Sequence, residues 1–135
     1  MKILNVNSVT LAPGKYVISD PCYQVPNEYW DELLKSCNYF LDRIIGWYFP
    51  SEQNEKVQVV SFSTAYGDGC YLDQEGFEYG VDAGMIGIML VDDLPNCTTG
   101  QGRIVEFDKP FECYEEDIHF GHIAIDTDPR GDEDE

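Results

Sequence analysis

Basic residues are scarce in this chain. Against 26 Asp and Glu, its 135 residues include only 8 Lys and Arg, a formal net charge of -18. DNA, RNA and anionic membrane faces attract Lys and Arg, so the deficit argues against all three as direct ligands. Long apolar runs are also missing, with nothing approaching the ~20 residues of a membrane span. Between Lys2 and Asn5 stand only two consecutive apolar residues, Ile3 and Leu4, too little for a signal-peptide core. The expectation is a soluble protein of the cytoplasm. There is no C-x-x-C, and the five cysteines (Cys22, Cys37, Cys70, Cys97, Cys113) are odd in number and widely spaced. Reduced thiols fit this better than a secreted disulfide framework. Nor is there a Walker loop, a dinucleotide fingerprint, a Gly-x-Ser-x-Gly or a His-Glu-x-x-His. No catalytic residue and no cofactor is expected on these grounds.

What is present argues for a folded domain. The chain is 43% hydrophobic, with 9 Tyr, 7 Phe and 2 Trp. Disordered chains lack that aromatic and β-branched content. The length suits one domain, expected over residues 1–126, followed by an acidic tail at 127–135 (TDPRGDEDE) with no apolar residue.

The spacing predicts one helix, Asn27 to Cys37. Pro26 precedes it, Glu28, Asp31 and Glu32 sit in its first turns, and Trp30, Leu33, Leu34 and Cys37 form one apolar stripe. The rest reads as strands: Lys15 to Ser19, ended by Asp20-Pro21; Phe40 to Phe49, bent at Gly46; Val57 to Thr64; Gly69 to Leu72 and Phe77 to Val81 around an Asp73-Gln74-Glu75-Gly76 hairpin; Met85 to Val91, apolar enough for a central strand; then Arg103 to Phe107, Phe111 to Tyr114 and Ile118 to Ile125. The expected fold class is α+β, mostly β. It is an antiparallel barrel or sandwich of about seven or eight strands with one packed helix.

The charge is unevenly placed. Residues 1–65 have seven acids and five bases, residues 66–102 seven acids and no base, and residues 103–135 twelve acids and three bases. Such crowding strains the compact state by self-repulsion, which suggests a use for it, although a solvated acidic surface would serve solubility alone. Asp92, Asp93, Glu115, Glu116, Asp117, Asp132, Glu133, Asp134 and Glu135 are the candidate contacts for a basic partner.

Three other constellations offer chemistry. Asp68 in Tyr66-Gly67-Asp68-Gly69 and Asp82 in Tyr79-Gly80-Val81-Asp82 lie across the hairpin. As neighbours they would suit a hard cation or acid/base work, whereas Asp-Gly is also the ordinary chemistry of a turn. His119, His122 and Cys113 have zinc-type donors, but a spacing of three on one strand turns the two rings to opposite faces unless Gly121 supplies a bulge. Cys22 or Cys70 with either histidine makes a nucleophilic arrangement in arithmetic only, since surrounding carboxylates disfavour a thiolate. No metal is expected.

Ile18-Ser19-Asp20-Pro21-Cys22-Tyr23, Ser63-Thr64-Ala65-Tyr66-Gly67-Asp68-Gly69 and Tyr79-Gly80-Val81-Asp82-Ala83-Gly84-Met85-Ile86-Gly87-Ile88 carry a resemblance. Over roughly residues 14–126 the chain resembles an uncharacterised family of small acidic proteins found largely in bacteriophage genomes, with relatives in bacteria. The resemblance implies a phage protein made in the host bacterial cytoplasm and brings no functional residues with it. The leading expectation is a binding protein, an inhibitor of a host enzyme or defence factor whose acidic face mimics nucleic acid. Its partner would be a basic protein surface, that of a host nucleic-acid-binding factor. The alternatives are an assembly module of a phage particle or homo-oligomer, joined through strand edges, and a metal-dependent or acid/base hydrolase centred on Asp68 and Asp82.

Overall fold

The computed structural model describes residues 8–36, 44–49, 57–64, 69–82, 84–94, 102–114 and 118–126. Its strands, in chain order, are β1 Ser8–Leu11, β2 Gly14–Ser19, β3 Ile44–Phe49, β4 Val57–Ser63, β5 Gly69–Asp73, β6 Glu78–Val81, β7 Met85–Leu90, β8 Arg103–Phe107, β9 Phe111–Tyr114, β10 His119–Phe120 and β11 Ile123–Asp126. The helix α1 is Asn27–Ser36, and 3-10 turns cover Pro21–Tyr23 and Val91–Asp93. The strands form two antiparallel sheets, a five-stranded one ordered β3-β4-β7-β2-β8 and a six-stranded one ordered β1-β9-β10-β11-β5-β6. They face each other as a sandwich rather than closing into a barrel.

Alternation along the strands explains the layers. On β2, Tyr16 and Ile18 point into the core between the sheets, while Val17 points the other way into a second cluster with Leu33 of α1. On β7, Ile86 and Ile88 enter the first cluster and Met85 and Met89 the second. The five-stranded sheet is thus covered on both faces, which is why Met85–Leu90 is apolar at every position. Burial of Ile86 and Ile88, at 0% and 1% exposure, stabilises by about 1.5–3 kcal/mol each. Among the described residues the six-stranded sheet is covered on one face and alternates accordingly: Tyr71 and Asp73 of β5 are buried while Cys70 and Leu72 are exposed.

Aromatic rings fill the space between the sheets. Tyr16 meets Phe111 edge-on at 5.2 Å between centroids, Phe107 stacks on Phe111, and Phe62 stacks on Phe120 at 6.0 Å. On the other side, α1 buries Leu33 completely and rests Tyr29 and Trp30 against the second cluster.

Several expectations hold and two need correction. The helix, the β5–β6 hairpin with Gly76 at φ +86, and the central place of β7 are as anticipated. The irregularity at Gly46 is also there, since the β3–β4 register shifts between Ile45 and Trp47. Among the described residues, however, there are eleven strands, partly because β1 precedes the first strand anticipated. Residues 118–125 are not one strand: β10 and β11 form a tight hairpin in which Phe120 pairs with Ile123. Gly121, at φ +62, makes that two-residue turn. Cys37 and the tail 127–135 lie outside the described residues.

Candidate functional site

The described parts of segments 18–23, 63–69 and 79–88 meet at one corner of the sandwich. Asp20, fully buried, caps the 3-10 turn by accepting the Cys22 amide on Oδ1 at 2.9 Å. Its Oδ2 accepts the amide of Asp82, 62 residues away, at 2.7 Å. The Thr64 amide donates to the Gly84 carbonyl at 3.0 Å in the same region. Nearby, burial and the charges of Asp82, Cys22, Asp20 and Cys70 push the Tyr23 phenol up. Asp82 thus joins the corner through its backbone, with its side chain exposed. Asp68 lies outside the described residues.

A second network ties the sheets together. The Asp73 carboxylate is shut away from solvent. Its Oδ1 accepts the amides of Glu75 and Phe77, and its Oδ2 accepts the Tyr79 hydroxyl at 2.8 Å and Arg103 Nη1 at 2.5 Å. Arg103 Nη2 also donates to Glu75, and the guanidinium lies 5.7 Å from the Phe77 ring centroid. Burial pushes the Asp73 carboxyl up, but the hydrogen bonds from Tyr79, Phe77, Glu75 and Arg103 outweigh it and hold the group below its ordinary value. Burial, with the bond to Asp73 second, pushes the Tyr79 phenol well above its usual range. Every strong donor here is matched to an acceptor, so this is a clamp between β8 and the β5–β6 hairpin, not a reactive centre.

The third feature is the outer face of the six-stranded sheet. Burial alternates so that Thr10, Cys70, Leu72, Glu78, Glu112, Tyr114, His119, Ala124 and Asp126 lie on that side. None of the six strands contains Lys or Arg. Asp126 pairs with Leu72 and Leu72 with Glu78, so one lateral row runs acid, leucine, acid. Tyr114, His119 and Ala124 form a second row, with the Tyr114 and His119 rings stacked at 4.5 Å and 11° between planes. Leu72, Gln74, His119, Ala124 and Asp126 line a shallow depression of about 430 Å³.

The histidines do not share a ligand position. His119 lies on the outer face, whereas Cys113 is buried in the core and paired with Phe120. Burial, then Glu112, pushes the Cys113 thiol up to about 12, which disfavours the thiolate that a metal requires. His122 sits in the β10–β11 turn with its ring edge-on to Phe107 at 5.5 Å. Among the described residues, no three His, Cys, Asp or Glu are grouped to hold a metal ion. The exposed Cys70 thiol is pushed up, chiefly by its hydrogen bond to Glu78, so it is not an activated nucleophile.

Of the anticipated contact residues, Asp92 and Asp93 lie in the 3-10 turn that follows β7, between Val91 and Leu94 of the helix-side cluster. They belong to a different layer from Glu78, Glu112 and Asp126. Burial and then Asp92 push the Asp93 carboxyl up. Glu115, Glu116, Asp117, Asp132, Glu133, Asp134 and Glu135 lie outside the described residues. The reading of the sequence did not single out Leu72, Tyr114 or Asp126; each looks ordinary within its own segment. Comparison with family models, curated proteins and solved structures finds no match. No helix of the described residues is long and apolar enough to cross a membrane.

Proposed function

We propose that this is a non-enzymatic binding protein that engages a basic surface of another protein through the outer face of its six-stranded sheet. One observation carries the reading: among the described residues of that face the Asp and Glu side chains are Glu78, Glu112 and Asp126, and none of the sheet's strands contains Lys or Arg. Such a surface steers a basic partner at long range and repels nucleic acid. It would compete for a groove that otherwise binds phosphates, which accords with the phage-type resemblance and with a host nucleic-acid-binding factor as partner.

The test is retention of bacterial lysate proteins on the immobilised full chain at low and high salt. It uses the wild type, the triple variant Glu78→Gln/Glu112→Gln/Asp126→Asn and the pair Asp92→Asn/Asp93→Asn. A basic protein held at low salt, released by high salt and lost with the triple variant is the expected result. Retention indifferent to salt, or lost only with the Asp92 and Asp93 substitutions, overturns the assignment to this face.

A further inference from the structure

We propose that Ser61 and Ser19 hold an internal water molecule over Gly87, between the five-stranded sheet and the layer that contains α1. The site is independent of which outer surface meets a partner.

The strand register places the three residues side by side. Gly87 of β7 pairs with Ser61 of β4 on one side and with Ser19 of β2 on the other. Side chains alternate along a strand, so Ser61 shares the side of Val59, Gly87 that of Met85 and Met89, and Ser19 that of Val17. All four of those neighbours belong to the helix-side cluster. A row that projects nothing longer than a hydroxyl therefore crosses three strands among larger apolar side chains.

Ser61 supplies a second and independent observation. Among the described residues its Oγ is the one buried side-chain polar atom without a hydrogen-bond partner, and the residue is 1% exposed. That oxygen leans over the glycine: a Cβ built on Gly87 stands 3.1 Å from it and 3.0 Å from the Val60 carbonyl oxygen. Ser19 is 0% exposed and donates its hydroxyl proton to the Asp20 carbonyl at 3.0 Å, so only acceptor capacity is left to it. A buried hydroxyl left unpaired costs more than an ordinary hydrogen bond returns.

Adjacent strands stand about 4.8 Å apart, which sets the two serines roughly 9–10 Å apart at the backbone. Two inward side chains and one water, with bonds of about 2.8 Å, cover that span. The water accepts from Ser61 and donates to Ser19 Oγ and to the Val60 carbonyl, and about three bonds is the usual number for a buried water. An apolar occupant would leave Ser61 unpaired, and burial at both serines excludes a larger solute.

The test is a crystal structure of the full chain, at a resolution that shows ordered waters, together with thermal melts. One water oxygen should lie about 2.6–3.2 Å from both Ser61 Oγ and Ser19 Oγ, and it should be missing from crystals of Ser61→Ala. The Ser61→Ala chain should also melt a few degrees below the wild type, because the water loses one of its partners. Wild-type density without a water on Ser61 Oγ, or with that oxygen bonded to a protein carbonyl instead, overturns the proposal. A Ser61→Ala melting temperature equal to or above that of the wild type overturns it too, since deleting an unpaired buried hydroxyl relieves its cost.

Discussion

Asp73 shows how much one carboxylate organises. It serves two amides of its own turn and then reaches Tyr79 and Arg103, one on the returning strand and one on the other sheet. Asp73→Asn should cost about 3 kcal/mol, because Arg103 and the Tyr79 hydroxyl lose an ionised acceptor in a largely dry place. Glu75→Gln, at the half-exposed end of the same network, should change stability by no more than about 0.5–1 kcal/mol. Urea unfolding of the two variants checks the contrast, and equal losses would refute the clamp. The same groups contribute to both pH limbs. Asp73 is held below 3.8, so its contribution is present above that value and lost as pH falls through the folded-state value. Tyr79 is raised above 10.0, so its contribution is present below that and lost as pH climbs past it, where the unfolded tyrosine ionises and the folded one does not. Tyr79→Phe should flatten the alkaline loss of stability measured against pH; an unchanged slope would assign the loss to other tyrosines. The turn at Asp73 was legible from Asp73-Gln74-Glu75-Gly76. Its bond to Arg103, 30 residues on, was not, because nothing local marks which acid a lone cation will meet.

Among the elements, the strand covered on both faces and the helix with one buried stripe were the easiest to read. The uniform apolar run of β7 and the stripe of α1 follow from burial alone. The β10–β11 hairpin was harder, although a signal exists. Ile118 and Phe120 share one phase of the alternation, Ile123 and Ile125 the other, and the slip falls at Gly121-His122. A slip of one residue turns a strand inside out, so a turn is the better solution. Gly121 and Gly76 allow a clean comparison. Both have positive φ, but a Cβ on Gly121 would stand 2.7 Å from Phe107 Cε1 and one on Gly76 meets nothing within 4 Å. Gly76→Ala should cost about 1–2 kcal/mol of backbone strain. Gly121→Ala should cost about 1–3 kcal/mol more, since the Phe107 ring must give way. Thermal melts of the two variants decide; equal shifts would mean that the ring yields freely.

At the scale of the whole molecule the question is where -18 resides. Carboxylates stand on both outer layers: Glu28, Asp31 and Glu32 are exposed on α1, and Glu78, Glu112 and Asp126 on the far sheet. The helix has Lys35 among its acids, whereas none of the described strands of that sheet contains Lys or Arg. Self-repulsion therefore acts within both outer layers. Raising the ionic strength from about 0.01 M to about 1 M shortens the screening length from ~30 Å to ~3 Å. The melting temperature should rise over that range; a flat or falling response in sodium chloride would show that the repulsion is inconsequential.

The sequence by itself determined the mostly β class, the single anticipated helix, the central apolar strand and the sign of the surface charge. Each of these depends on composition or on patterns no longer than about two turns of helix. Only the tertiary structure decided which carboxylates share a face. Asp126 and Leu72 are neighbours because β11 pairs with β5, and Asp20 meets the Asp82 amide because two distant turns close one corner. Pairing between remote strands is chosen by the packing of all of them at once, and no short stretch of sequence contains that choice.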